Sequence, residues 1–195
     1  ARVCLYAGQR ENAFNYSTEV IKASNNGIFP FVDRSLVNGT AQDPDRIFSP
    51  EVLFALSDSQ RGELFEEYFD PSLAPNMVFR METDLLEQTI YGGTGTGGNL
   101  DDYRCRSNWI SSGSARYFYK YSDMTESGRI ENTMIPLLRL GEMYLIAAES
   151  QSNSLANGVS YINTLRKNRG VSNLQTLTTT LLQYEYIREV YGEGQ

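Results

Sequence analysis

Helical periodicity at both ends of the chain, separated by a long aperiodic segment, is the sequence feature that most constrains the fold. Apolar or small residues recur on one helical face over residues 11–23, and again over 136–148, 155–168 and from 178 onward. Residues 71–130 lack that period. A chain with this pattern is expected to form helical hairpins that carry a long, mostly irregular insert.

Small residues in the two helical regions recur at spacings typical of the tetratricopeptide repeat (TPR). Leu140-Gly141-x-x-Tyr144 matches the first helix of that repeat, and Gly8 with Ala13 matches its turn glycine and second-helix alanine. Only small residues let paired helix axes approach closely. The alternative is a pair of generic helical hairpins. We predict a mainly α fold in which TPR-like helical hairpins form a right-handed α-α superhelix, with a long irregular insert containing short strands.

The predicted organisation is one partial domain over residues 1–195. Within the insert, an apolar run at 51–56 is bounded by Pro50, and we favour a buried strand over a brief helix there. A long irregular insertion in a compact domain tends to be functional. The predicted parts are a TPR-like hairpin at 1–24, a loop-rich ligand lobe at 25–134, a second hairpin at 135–170 and the start of a last helical repeat at 178–192.

Composition argues against several kinds of chemistry. The chain has no histidine, which removes the commonest general base, the Ser-His-Asp and Cys-His arrangements and most zinc sites. A net charge of −7 argues against nucleic acid as a partner. Cys4 and Cys105 fit no metal or redox spacing, and Cys4 is interpreted as a buried free thiol. We therefore predict no catalytic residue, no cofactor and no metal.

A glycine-rich run at 91–98 contains a G-x-G-x-x-G match. A dinucleotide site needs a strand before this motif and a helix after it, whereas the turn-like, acidic stretch 99–102 follows here. We interpret the run as a flexible surface loop. The adjacent acids Asp101 and Asp102 are interpreted neither as a glycosidase pair nor as a calcium site, because nothing in the sequence sets them at the required spacing.

Aromatic residues are abundant, with thirteen Tyr, nine Phe and a single Trp. Sugars present a C–H face that stacks on aromatic rings, while polar groups nearby bond their hydroxyls. The residues predicted to contact a ligand are Trp109, Tyr103, Tyr117 and Tyr119, with Asp101, Asp102, Arg104 and Asn108 as hydrogen-bonding partners. The alternative is that Trp109 and the alternating segment 117–121 anchor a small sheet against the helices. The sequence leaves both open.

Several motifs together resemble those of the SusD/RagB-type nutrient-binding lipoproteins of outer membranes. The stretch 135–149 resembles the family's signature helix, with Pro-x-x-Arg-Leu-x-Glu-x-Tyr-Leu-x-x-Ala-Glu, and 161–170 resembles the Ile-Asn-x-x-Arg element that follows. Residues 185–194 resemble the start of the closing motif, and 1–24 is similar to an earlier repeat. The further landmarks are Asp-x-Arg at Asp102 and Arg104, and Lys-Tyr at Lys120 and Tyr121.

The resemblance implies a helical scaffold that holds a loop-rich ligand lobe, and a role in import without catalysis. It implies an oligosaccharide ligand, or sometimes a peptide, passed to a SusC-like TonB-dependent transporter. It also implies a surface-exposed outer-membrane location, with membrane contact only through an N-terminal lipid anchor absent from this sequence. We expect the chain to be a fragment, because the family's lipid-bearing cysteine and first helices are missing. The alternative function is a TPR scaffold for protein–protein interaction.

Overall fold

The computed structural model describes residues 1–37, 43–92, 97–126, 128–151 and 154–193 of the chain. Helices predominate over strands among them. The α-helices are α1 (Arg2–Tyr6), α2 (Arg10–Asn25), α3 (Arg34–Val37), α4 (Arg61–Tyr68), α5 (Tyr103–Asn108), α6 (Leu140–Glu149), α7 (Val159–Lys167) and α8 (Thr179–Val190). The strands are β1 (Val52–Ser57), β2 (Trp109–Ser112), β3 (Ala115–Phe118) and β4 (Met134–Arg139). Three 3-10 segments lie at Ser49–Glu51, Ile130–Thr133 and Leu155–Gly158, and a π-helical turn at Leu85–Ile90.

Helix α6 forms the centre of the helical layer. Every residue from Leu140 to Ala148 is buried, because α6 packs against α2, α7 and α8 at once. Ala13 on α2 and Ile162 and Leu165 on α7 are fully buried against it. Burying one such Leu or Ile side chain stabilises the fold by roughly 1.5–3 kcal/mol. None of the helices in the described ranges combines the length and apolarity needed to cross a membrane.

The predicted helices at 11–23 and from 178 onward are confirmed as α2 and α8. Helix α8 begins after Thr178, whose hydroxyl accepts a hydrogen bond from the backbone N–H of Leu181. The strand favoured at 51–56 is confirmed as β1, but its expected burial is wrong, because Phe54 and Leu56 are more than half exposed. The helix expected at 155–168 begins as a 3-10 segment and becomes α-helical only at Val159.

The prediction that a helix begins at Pro136 is wrong. Residues 134–139 form β4, which pairs antiparallel with β1, with Ala55 opposite Pro136. Among the described residues the two strands form a ribbon without a third neighbour, and proline, which lacks an N–H, is tolerated on such an edge strand. The apolar run 135–138 therefore belongs to a strand, and the helix begins only at Leu140.

Position 141 requires glycine for a different reason from the close approach of helix axes that the TPR motif suggests. A Cβ at this position would overlap the carboxylate of Glu189, which α8 brings against α6, and would approach a guanidinium nitrogen of Arg169 at 3.2 Å. Glycine is needed here so that a charged side chain can lie against the helix.

The lobe between the helices has its own aromatic core. Helix α5 leads directly into the hairpin of β2 and β3, in which Trp109 pairs with Phe118. The rings of Trp109, Phe118 and Tyr191 have their centroids 4.9–5.0 Å apart in pairs. Because Tyr191 follows α8, this cluster joins the lobe to the helical layer.

Candidate functional site

The segment that follows the turn of the β2–β3 hairpin presents two different faces. Phe118 and Lys120 are buried, whereas Tyr117 and Tyr119, which alternate with them, are half-buried and reach the surface. Successive side chains of an extended chain point to opposite faces, and the backbone N–H of Tyr119 continues the pairing by donating to the carbonyl of Asn108. Tyr117 and Tyr119 therefore share one outward face.

Each of these two tyrosines has an arginine guanidinium above its ring. Arg80 lies 5.6 Å from the ring centre of Tyr117, and Arg46 lies 5.9 Å from that of Tyr119. Phe65 packs against the other side of Tyr119, with ring centroids 4.9 Å apart. We call the set Tyr117, Tyr119, Arg46 and Arg80 the tyrosine–arginine surface.

The guanidinium groups of the two arginines of this surface remain available to a ligand. Arg46 donates through Nε to the backbone carbonyl of Ser107 at 3.1 Å. Among the described residues, neither guanidinium lies within ion-pair distance of a carboxylate. Burial lowers the pKa of Arg46, and burial together with the charge of Asp70 raises the pKa of Tyr119. The surface thus offers aromatic faces, a phenol that stays protonated and cationic donors.

Two more of the predicted residues lie near the surface but away from this pair. Tyr103 on α5 is half-buried against Val32, Val37 and Phe48, with Arg34 at 6.0 Å from its ring centre. Asp101 is exposed and forms a loose ion pair with Arg106 at 3.4 Å. Nothing in the structure brings either of them beside Tyr117 or Tyr119.

Trp109 is a core residue in this structure. Only 2% of it is exposed, and its ring is enclosed by Phe118 and Tyr191. A ring packed on both sides has no face to offer a sugar, so the geometry favours the small-sheet anchor, which was the alternative left open by the sequence. The hairpin depends on this anchor for its orientation.

Asp102, Arg104 and Asn108 are also buried, and their polar groups are already engaged. Asp102 caps α5 by accepting the backbone N–H of Arg104 at 2.9 Å, and its carboxylate pairs with the guanidinium of the same arginine at 2.6 Å. The side-chain oxygen of Asn108 accepts the hydroxyl of Ser107 at 3.3 Å. These three residues therefore contribute to the interior of the lobe.

Arg104 belongs to a large buried cluster that we call the ion-pair network. Two glutamates of α8 form its centre. Glu189 pairs with Arg104, Arg139 and Arg169, and Glu185 pairs with Arg104, Arg166 and Arg188. The full membership is Glu51, Asp102, Arg104, Lys120, Arg139, Arg166, Arg169, Glu185, Arg188, Glu189 and Glu193.

Mutual pairing keeps these groups charged despite their burial. Burial opposes the charge of Glu189, but Arg169, Arg139 and Arg104 outweigh it and hold the pKa of this carboxyl well below its usual range. Glu185 behaves in the same way beside Arg104 and Arg188, so its pKa is also lowered. Lys120 differs, since burial and the neighbouring Arg139 lower its pKa to about 8.

The two thiols differ as well. Both cysteines are free, Cys4 half-buried and Cys105 buried. Burial raises the pKa of Cys105 to about 12, which removes the thiolate at neutral pH. Cys105 is therefore a buried residue of α5 with an unreactive thiol.

An apolar groove that the sequence did not predict lies between α1, α6 and α8. Its volume is about 1100 Å³. Leu5, Ile146 and Val190 line it, together with aromatic residues such as Tyr6 and Tyr184. The apolar stripe of α8 was visible in the sequence, but which face of it stays open depends on how α1 and α8 sit against α6.

Residues 93–96 of the glycine-rich run lie outside the described residues. Gly97 and Gly98 are described and are half-buried, not free in solvent. A Cβ on Gly98 would lie 2.7 Å from the backbone of Tyr91, so this end of the run packs against the chain before it. In the described ranges, no group of three or more Cys, Asp or Glu side chains is arranged to hold a metal ion.

Comparison with solved structures finds the same fold in proteins from Bacteroides. A SusD-like carbohydrate binding protein from Bacteroides vulgatus ATCC 8482 superposes with a TM-score of 0.64 at 21% identity, over 99% of this chain and 41% of that one. A SusD superfamily protein and a SusD homolog, both from Bacteroides thetaiotaomicron VPI-5482, give TM-scores of 0.64 and 0.65 at 20% and 18% identity. The superpositions cover 45% and 46% of those two chains, and 99% of this chain in each case.

The chain thus spans less than half the length of the structures that it matches. No curated protein matches the sequence significantly. The model of the SusD family matches residues 57–195, which include the hairpin of β2 and β3, α6 and α8. The chain therefore belongs to the SusD family.

Proposed function

We propose that this chain belongs to a non-catalytic protein that binds oligosaccharides through the tyrosine–arginine surface. The observation that supports this most directly is the pair of outward tyrosines, each beside an arginine without a carboxylate partner among the described residues. Aromatic faces stack on the C–H side of a sugar ring, while guanidinium and phenol groups bond its hydroxyls. Membership of a family that includes a SusD-like carbohydrate binding protein supports the same ligand class.

Of the residues proposed from the sequence, Tyr117 and Tyr119 remain the ligand contacts. Tyr103 and Asp101 are proposed as outer contacts for a longer oligosaccharide, since both reach solvent. Trp109, Asp102, Arg104 and Asn108 act indirectly, because they hold the hairpin and α5 in place from below. The strongly shifted acids lie inside the ion-pair network and not in an open cleft, which supports binding without catalysis.

Calorimetric titration of the chain with a panel of neutral and acidic oligosaccharides tests this function. We expect at least one sugar to bind, and Tyr119→Ala to weaken its affinity by roughly 1 kcal/mol or more, about fivefold in Kd. Tyr16→Ala is the matched control, because Tyr16 is also an exposed tyrosine but lies on α2. Equal affinities of the two variants would overturn the site.

We also propose that the helices form TPR-like hairpins of a right-handed superhelix, with the parts at 1–24, 25–134, 135–170 and 178–192. The packing of α6 against α2, α7 and α8, with Ala13 buried at the contact, supports this arrangement. The whole protein would sit on the outer face of the outer membrane by an N-terminal lipid anchor and pass its ligand to a SusC-like TonB-dependent transporter. Protease digestion of intact cells tests the location, since a surface-exposed protein is cleaved without lysis.

A TPR scaffold that binds another protein is the second candidate, and the apolar groove favours it. A groove of about 1100 Å³ between helices is large enough to hold an amphipathic helix of a partner. The two candidate functions can be separated by two substitutions that should affect sugar binding and partner binding in opposite ways. Val190→Asp, in the groove, should abolish partner binding and spare sugar binding, whereas Tyr119→Ala should do the reverse.

A further inference from the structure

A small cavity lies at the centre of the ion-pair network. Its volume is about 10 Å³, close to the space that one water molecule or one small ion requires. The aromatic part of its wall includes Phe48, Phe118 and Trp109, all of which are buried. The charged and amide groups that line it are Arg104, Lys120, Arg139, Arg188, Glu189 and Asn108.

The charges around this cavity do not balance. Four of the lining side chains are cationic and one is a carboxylate. Among the described residues the network shows the same sign, with six cations (Arg104, Lys120, Arg139, Arg166, Arg169 and Arg188) against five carboxylates (Glu51, Asp102, Glu185, Glu189 and Glu193). The described part of the network therefore holds an excess of one positive charge in a region of low dielectric, where such a charge is costly.

One donor in the cavity wall also lacks an acceptor. Arg139 pairs with Glu189 at 2.9 Å and with Glu193 at 2.6 Å through its terminal nitrogens. Its Nε is buried and makes no hydrogen bond, and a buried guanidinium nitrogen left in this way costs about 1–3 kcal/mol or more. The lowered pKa of Lys120, caused by burial and by Arg139, is a sign of the same positive potential.

We propose that the cavity binds one small monovalent anion, for which chloride is the natural candidate. An anion accepts the Arg139 Nε–H and neutralises the excess charge, whereas a water molecule would do only the first. The small volume excludes sulfate and larger anions. The site is a structural one, inside the network that joins α8 to the lobe, and it is separate from the tyrosine–arginine surface.

Trp109 gives a direct test, because it is the only tryptophan and lies in the cavity wall. Bromide quenches indole fluorescence by the heavy-atom effect. We expect bromide, titrated into the chain in gluconate at constant ionic strength, to cause a saturable loss of emission that chloride reverses by competition. Gluconate is too large to enter the cavity and serves as the reference anion. Quenching that grows linearly with bromide, or that chloride does not relieve, would overturn the proposal.

Lys120→Met sharpens the test, because it leaves five cations against five carboxylates. We expect the unchanged chain to show saturable quenching and a Tm that depends on chloride, and we expect this variant to lose both. Lys22→Met, on the exposed face of α2, is the matched control and should retain both. If Lys120→Met fails to fold, the anomalous signal of bromide in crystals of the unchanged chain decides the matter. A peak beside Arg139 supports the site, and its absence refutes it.

Discussion

The ion-pair network and the tyrosine–arginine surface lie on opposite sides of one short extended segment. Phe118 and Lys120 point inward, where Lys120 joins the network, and Tyr117 and Tyr119 point outward to solvent. The inward side chains have all their partners within the protein, while the outward ones keep donors and ring faces available. The difference teaches that alternate residues of one segment can serve the packing of the fold and the proposed binding surface separately.

Acid should produce the largest change, because it acts on the network as a whole. The folded-state pKa values of Glu185 and Glu189 lie below the roughly 4.3 of an unfolded glutamate. Their contribution to stability is therefore complete above about pH 4.3 and is lost as the pH falls through the folded values. Asp45 opposes this, since burial raises its pKa, but it is a single group. Urea unfolding between pH 7 and pH 3 measures the effect, and a constant midpoint would contradict it.

Glu189→Gln should have the next largest effect, a loss of about 3–5 kcal/mol in the free energy of unfolding. The substitution keeps the shape but leaves Arg104, Arg139 and Arg169 without a shared carboxylate in a buried site. Urea denaturation at pH 7 measures it. Glu66→Gln on the exposed face of α4 is the control and should change stability by less than about 0.5 kcal/mol.

Asp101 and Asp102 offer a smaller and closely matched comparison. Asp102→Ala should cost about 1.5–3 kcal/mol, because it removes the cap of α5 and a charged partner of Arg104. Asp101→Ala should cost roughly 0.5 kcal/mol or less, because its ion pair is exposed. Thermal unfolding of the two variants measures the difference, and equal costs would contradict the stabilising role assigned to the network through Asp102.

Tyr117→Ala should change stability least, by about 1 kcal/mol or less, since its ring is half-buried and contacts mainly Arg80. Its effect should appear instead in sugar affinity, with a loss similar to that of Tyr119→Ala. Thermal unfolding and calorimetric titration of the same sample separate the two quantities. If Tyr117→Ala lost as much stability as Glu189→Gln, the tyrosine–arginine surface would not differ from the ion-pair network in its contribution to stability.

Helical periodicity and apolar runs were sufficient to predict much of the fold. Periodicity located α2 and α8, because each has a face whose burial is determined by local spacing, and the apolar run at 51–56 located β1. The start of α6 was wrong since Pro136 fits both a first helical turn and an edge strand, and only pairing with β1 decides between them. Tertiary contact, and not propensity, determined that outcome.

The site was predicted less well, for a related reason. Trp109, Asp102 and Arg104 have side chains that suit a ligand site, and the same chemistry suits a buried anchor or ion pair. Their burial depends on α8, which lies some 80 residues further along the chain. The alternation at 117–121 did contain a usable signal, because it separates Phe118 and Lys120 from the tyrosines on either side.

The position of the network along the chain also affects how the protein is made. Arg104, Arg139 and Arg169 all precede Glu189, so a growing chain contains these cations before their shared carboxylate exists. Contacts between residues far apart in sequence form slowly, because the loops between them must close first. We therefore expect folding to be completed late and cooperatively, only after α8 has left the ribosome.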